Sequence, residues 1–186
     1  MQKDIELFDG KVRLRPYLSG DSPDVFEAAT ESFHEVGEFL PWCHAGYTRK
    51  ESDDWIKLCA QSWDNGSAYE FAILDSINGR YLGGCGLNHV NAIDKIANLG
   101  YWVRSSAAGH GIAPASAQLL AKFAFDKLEL NRVEIVAAVE NLKSQRTAEK
   151  TGARREGVLR NRILISGIPH DAVIFSLIAS DLKTGV

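Results

Sequence analysis

No stretch of this 186-residue chain approaches the roughly 18 consecutive apolar residues that a membrane-crossing helix requires. Its opening, Met1-Gln2-Lys3-Asp4-Ile5-Glu6, lacks the apolar core of a secretory signal, so the expectation is a cytoplasmic protein with no membrane contact. Cysteine occurs only at positions 43, 59 and 85. Three widely spaced cysteines with no C-x-x-C pair exclude a disulfide framework, a zinc ribbon and a dithiol redox couple. The five histidines show no metal-ligand spacing either, and no metal is expected. Basic charge is not in excess: 21 Lys and Arg against 24 Asp and Glu give a net charge of −3, leaving no electrostatic footprint for nucleic acid. Arg154, Arg155, Arg160 and Arg162 lie close together but read as the solvated face of a strand. There is no repeat or low-complexity tract. With 45% hydrophobic and 24% charged residues, the composition is that of one globular domain spanning 1–186.

What is present is a sequence of short periodic segments. Residues 11–17 alternate Val12 and Leu14 with Arg13 and Arg15 and stop at Pro16, which predicts a half-buried strand. Amphipathic helices are expected over 21–33 and 49–63. Strands are expected over 69–74 and 81–89 around a tight Asn78-Gly79 hairpin turn, with a second turn over 91–94. A strand over 99–104 continues the meander. A helix, a strand over 133–139 and a second helix opened by Asn141 and closed by Gly152 follow. Two last strands, over 158–165 and 172–178, join across Ser166-Gly167. An antiparallel meander joined to a βαβ-like unit is an α+β fold.

The segment after the 99–104 strand carries the chemistry. Gly109 and Gly111 have no Cβ and let backbone N–H groups approach a ligand in conformations that other residues avoid. Pro114 is tolerated only in a first helical turn, which places the helix start near Gly111. The leading amides of that helix have no partners within it, and its dipole favours a bound phosphate. Taken alone, the glycines leave open a strand-to-helix turn that binds nothing.

The order and spacing of several short motifs narrow this. Leu-Arg-Pro-Tyr at 14–17, Phe-Leu-Pro-Trp at 39–42, Gly-Tyr-Trp-Val at 100–103, Gly-His-Gly-Ile-Ala at 109–113, Asn-Arg-Val-Glu-Ile at 131–135, Asn-Leu-Lys-Ser at 141–144 and Glu-Lys-Thr-Gly-Ala at 149–153 follow one another along nearly the whole chain. In these the chain resembles the GNAT superfamily of acetyl-coenzyme A-dependent N-acetyltransferases, most closely its RimJ/RimL-like branch, which includes ribosomal-protein N-terminal acetyltransferases. The resemblance implies a mixed, mostly antiparallel sheet of about seven strands flanked by helices, forming a single acetyltransferase domain. It implies that backbone groups of Tyr101, Trp102 and Val103 align the pantetheine arm of acetyl-coenzyme A. It implies further that Gly109, His110, Gly111, Ile112 and Ala113 cradle the pyrophosphate, that Asn141 binds the pantetheine, and that Ser144 lies near the cofactor sulfur. Two positions depart from the family pattern, Ala108 and Pro114. So does the absence, near Ile163, of a carboxylate that ribosomal members tend to carry.

Acetyl transfer to an amine requires a neutral nitrogen, a stabilised oxyanion and a proton for the thiolate. Ser144 is the candidate donor to sulfur, with a helix cap as the alternative role. A backbone N–H at or beside Val103 is the candidate for the oxyanion. Glu70, on the opposite strand face from Phe71 and Ile73, is the candidate base, with simple exposure as the alternative. His89, Phe39 and Trp42 are candidates for the acceptor wall, and Glu31, Glu35, Glu38, Asp53 and Asp54 would permit an acidic one. The expected acceptor is a protein or peptide N-terminal α-amine. A small-molecule amine, and a non-catalytic acyl-coenzyme A sensor, are the competing readings, and a homodimer is left open.

Overall fold

The computed structural model describes residues 5–183. The first four positions, which belong to the opening that lacks a signal core, lie outside them. Eight strands form one sheet in the order β1-β2-β3-β4-β5-β6-β8-β7. They are β1 (Leu7–Phe8), β2 (Val12–Pro16), β3 (Tyr69–Asp75), β4 (Tyr81–Asn91), β5 (Ile96–Val103), β6 (Arg132–Ala138), β7 (Arg154–Ile165) and β8 (Ile168–Leu177). Every neighbouring pair is antiparallel except β5 and β6. The strand beyond the expected seven is the two-residue β1, too short to leave a periodic signal.

Four helices cover the sheet: α1 (Ser22–Gly37), α2 (Arg49–Asn65), α3 (Ile112–Asp126) and α4 (Leu142–Thr151). Their ends are set locally. Thr48 and Glu51 form a capping box at the start of α2, satisfying amides that the helix cannot satisfy itself. Gly111, at φ +73°, opens α3 where Pro114 requires a first turn. Asn141 caps α4, and Gly152, at φ +92°, closes it.

Strand alternation sends side chains to two separate cores. Phe71, Ile73, Leu87 and Leu99 face α3, meeting Leu120 and Phe123. Tyr17, Ala72, Leu74 and Tyr81 face α1 and α2, meeting Val25, Ala28 and Ile56. Burying each Leu or Phe of this kind stabilises the fold by about 1.5–3 kcal/mol.

Three expectations are corrected. The β3–β4 connection is not a two-residue turn: Asp75 N–H pairs with the Arg80 carbonyl at 2.8 Å across residues 76–79. The Asp75 carboxylate accepts from the amides of Ile77 (2.9 Å) and Asn78 (3.1 Å), so an aspartate-built loop displaces the tight turn that Asn78-Gly79 would form alone. Second, β5 begins at Ile96, because the Asn91–Asp94 turn is followed directly by pairing of Asn91 with Ile96. Third, β7 and β8 begin at Arg154 and Ile168, and bulges at Arg155/Gly157 and Leu159/Ile163 break the alternation that would have revealed β7. The four arginines of β7 are exposed, as expected. All three cysteines are buried and free, and among the described residues no helix is long and apolar enough to cross a membrane.

Candidate active site

The parallel pairing of β5 with β6 is confined to Ile96–Asn98 against Arg132–Glu134. Beyond it the strands part. Leu99 to Val103 pair only with β4, and Ile135 to Ala138 only with β8. Hydrogen-bond direction alternates along an antiparallel strand, and Arg104 N–H donates to the Leu82 carbonyl of the β4 segment at 2.8 Å. The backbone groups of Trp102 and Gly100 therefore also turn toward β4, whereas those of Tyr101 and Val103 turn into the gap. An extended ligand entering the gap would find the amides and carbonyls that a missing strand would otherwise satisfy. The backbones of Tyr101 and Val103 line this gap, whereas that of Trp102 faces β4 and its side chain lies on the cleft described below.

At the open end of the gap the chain makes a single 3-10 turn, Ser105–Ala107, and then passes through Gly109 (φ +82°) and Gly111 (φ +73°). The first backbone bond of α3 runs from Ala115 N–H to the Gly111 carbonyl at 3.3 Å, so the amides of Ile112 and Ala113 precede the helical ladder. Pro114 occupies a position whose amide the helix would not use, and removes one donor. A Cβ at Gly111 would stand 3.2 Å from Lys11 Nζ, which puts an ammonium beside the loop. Free amides, a helix N-terminus and a lysine sit together here, a donor set that could hold a pyrophosphate.

Helix α1 anchors this loop. Arg104, 3% exposed, donates to Glu27 at 2.6 Å, and to Glu31 through Nε at 3.0 Å. Ser106 N–H donates to Glu31 at 2.7 Å, Ser105 N–H to Ser32 Oγ at 3.0 Å, and Ser105 Oγ to Glu35 at 2.7 Å. The Arg104 guanidinium, aided by the Ser106 amide, holds the Glu31 carboxyl at about 2. Glu31 and Glu35 thus anchor the 104–106 segment, and neither lies on the wall of the aromatic cleft described below.

On the α3 and α4 face of the gap, the Tyr101 hydroxyl donates to the Ser144 carbonyl at 2.9 Å and lies 3.2 Å from Ser144 Oγ. Burial pushes the Tyr101 phenol up to about 12 and keeps it protonated. Asn141 Oδ1 accepts from Ser144 N–H at 3.0 Å, so this side chain serves as the α4 cap and thereby orients Ser144.

On the opposite face, Glu70 stands in register with Gly86 and, one strand on, Gly100. A Cβ at Gly86 would overlap the Glu70 carboxylate, so the glycine creates the space the acid occupies. Burial pushes the Glu70 carboxyl up to about 7, against the opposing pull of Asn88. On the same sheet face a cleft of about 450 Å³ opens between α1, α2, the 38–48 connection and Trp102 of β5, with Glu70 not on its wall. Its rings are Trp42, Tyr47, Trp55 and Trp102. Trp42 is on its wall; Phe39 is half-buried in the turn after α1, with its amide on the Val36 carbonyl at 3.3 Å. His89 is exposed at a β-bulge with φ +50°, and the fold does not bring it to the cleft.

Residues 11–154 match the sequence profile described as an acetyltransferase (GNAT) domain. The chain belongs to the GNAT acetyltransferase family. YdaF of Bacillus subtilis (strain 168), provisionally named a ribosomal N-acetyltransferase, is 38% identical over 101 residues, covering 54% of this chain and 55% of that protein. A Vibrio cholerae structure, provisionally titled a ribosomal-protein-serine acetyltransferase, aligns with TM-score 0.82 and 27% identity over 96% of this chain and 99% of that one. RimJ of Mycobacterium smegmatis, solved with a coenzyme A disulfide, shares the fold at TM-score 0.85 and 23% identity, over 94% of this chain and 85% of its own. The chain spans a little over half the length of YdaF.

Within the GNAT fold, three features of the site go beyond what the sequence motifs point to. Lys11 lies about a hundred residues from the glycines it accompanies, and nothing local connects them. The Tyr101 side chain does carry a signal, since strand alternation alone separates it from Trp102, but the family motif concerns only its backbone. Trp55 of α2 joins Trp42 and Tyr47, neighbours in the 38–48 connection, only through the packing of α2 beside that connection.

Proposed function

We propose that this GNAT protein transfers an acetyl group from acetyl-coenzyme A to a primary amine, in particular the N-terminal α-amine of a protein or peptide. The observation that carries the reading is the β5–β6 gap, with Glu70 on one face and the Tyr101–Ser144 pair on the other. Acetyl-coenzyme A would supply the acetyl group activated as a thioester, held along Tyr101 and Val103 with its phosphates at residues 109–113 and Lys11.

An α-amine has a reference pKa of about 8, within reach of a base near 7. Glu70, when ionised, accepts a proton from the incoming ammonium on the cleft side. Ser144 Oγ–H, hydrogen-bonded to Tyr101, gives a proton to the departing sulfur on the other side. Over the whole transfer two protons leave nitrogen; one reaches solvent through Glu70, and the other restores the Ser144 hydroxyl whose proton went to sulfur. The Val103 N–H, directed into the gap, is fixed in advance as the donor for the carbonyl oxygen. Proteins of similar sequence named for ribosomal-protein acetylation support a protein acceptor.

The test is release of free thiol from acetyl-coenzyme A in the presence of short peptides with free or blocked N-termini. Release only with the free α-amine is expected; binding of acetyl-coenzyme A with no release for any amine would replace the transferase with a binding module.

A further inference from the structure

The cleft on the α1 and α2 face has a composition that the transfer chemistry does not require. Four aromatic rings line it together with two carboxylates, Glu51 and Asp54, and among the described residues no Lys, Arg or His is on its wall. The rings are set at steep angles. Trp42 meets Trp102 at 70° with centroids 5.2 Å apart, and meets Tyr47 at 65° and 5.8 Å. Two near-parallel plates would suit a flat base or indole; rings at steep angles form the corner of a box, which suits a compact charged group that can lie over a π face.

Both carboxylates are ionised at neutral pH. The Thr48 hydroxyl and amide hold the Glu51 carboxyl below its ordinary value, and Lys50 does the same for Asp54. The basic groups facing them are His44, 3.1 Å from Glu51, and Lys50 and Lys57, paired with Asp54. The two lysine side chains are 80% and 73% exposed, so water screens these pairs and their hold on the carboxylate is weak.

We infer that the cleft is a cation-recognising subsite, taking a second positively charged group of the acceptor, an ammonium or guanidinium, alongside the amine that is acetylated. The inference rests on the acetyl-transfer reading for which end of the acceptor reacts. Trp102 lies two residues beyond Gly100 on the same strand face, roughly 7 Å from the point that Glu70 faces. The second charge therefore sits about the length of a lysine side chain, or of a short diamine, away from the reacting nitrogen.

Two arms separate the sources of that charge. In the first, peptide amides Ser-Lys, Ser-norleucine and Ser-Trp are compared by thiol release; in the second, pentane-1,5-diamine is compared with pentylamine. In both, intrinsic tryptophan fluorescence measures binding independently of turnover. In at least one arm the doubly charged acceptor should have a KM about tenfold lower than its neutral-ended counterpart, with similar kcat. Trp42→Leu should abolish this difference and Trp42→Phe should retain part of it, both with KM for acetyl-coenzyme A unchanged. Trp42 is 39% exposed, so neither variant endangers the core. Glu51→Gln, which keeps the capping box, should weaken the preference. Equal KM values in both arms with transfer intact would overturn the inference, and a preference for Ser-Trp would mark a planar-ring subsite in its place. Fluorescence-detected binding of the charged probes without thiol release would support the subsite and overturn only the transferase reading.

Discussion

The Tyr101 hydroxyl donates to the Ser144 carbonyl at 2.9 Å and lies 3.2 Å from Ser144 Oγ, joining β5 to the first turn of α4 across the gap between β5 and β6. With the phenol proton committed to the carbonyl, the Ser144 hydroxyl has Tyr101 as an acceptor or the gap as its target. Tyr101 therefore acts as a positioning residue for the proposed acid. Tyr101→Phe keeps the buried ring and removes this link, and Ser144→Ala removes the donor itself. Both should lower kcat about tenfold or more, equivalent to roughly 1.4 kcal/mol of barrier, while leaving KM for acetyl-coenzyme A within about twofold. Steady-state kinetics with an unhindered peptide checks this; an unchanged kcat in both variants removes the pair from the mechanism.

Glu70, as the proposed base, should set the pH dependence of the transfer. Its carboxyl is raised to about 7 by burial, so the ionised base is populated as pH rises through that value, and kcat/KM should climb correspondingly. Glu70→Gln should flatten this limb. The same shift acts on stability with the opposite sign. A raised folded pKa contributes stability that is fully present below the unfolded value, near 4.5, and is lost as pH rises through about 7. Glu70→Gln should therefore melt at a higher temperature than the native chain above pH 7, even as activity falls.

Gly86 tests the same site without touching the carboxylate. A Cβ at Gly86 would displace the Glu70 side chain, so Gly86→Ala should depress kcat and shift the acidic limb of the rate profile, with acetyl-coenzyme A affinity retained. A profile identical to that of the native chain would show that Glu70 is free to work from another position.

Glu31 connects stability to the 105–111 loop. Its folded value of about 2, set by Arg104, lies below its ordinary 4.5, so its contribution is present above pH 4.5 and is lost as pH falls toward 2. Glu31→Gln keeps an acceptor oxygen for the Ser106 amide but removes the charge paired with buried Arg104, leaving it Glu27 alone, at a cost of about 1–3 kcal/mol at neutral pH. Thermal melts between pH 3 and 7 should show the native chain and the variant converging at the acidic end, and KM for acetyl-coenzyme A should rise in the variant.

Lys11 is expected to contribute charge to the phosphates. Lys11→Met should raise KM for acetyl-coenzyme A several-fold at low ionic strength, and added salt should narrow the difference. No change in KM at any salt concentration would leave the loop amides as sufficient.

Features governed by neighbours along the chain are legible in the residues alone. Asn141 and Gly152 bracket α4, Pro114 places the start of α3 at Gly111, and Ser166-Gly167, at φ +50° and +80°, turns β7 into β8. Helix caps and turns are decided by a few adjacent backbone groups, so residue type and spacing are enough to find them. The family motifs extend this reach to the strand and loop that would hold a cofactor.

The sequence by itself determined the α+β order, the strand-to-helix turn with its unpaired amides, and the chemical candidates Glu70 and Ser144. Only the tertiary structure decided that β5 and β6 part after Asn98, that Glu31 and Glu35 anchor Arg104 and the loop, that Tyr101 reaches Ser144, and that four aromatic rings from separate segments enclose one cleft. Each of these depends on residues tens of positions apart meeting across a sheet or between helices. Such contacts are selected by strand register and shape complementarity of the whole core, which no local pattern of residues encodes.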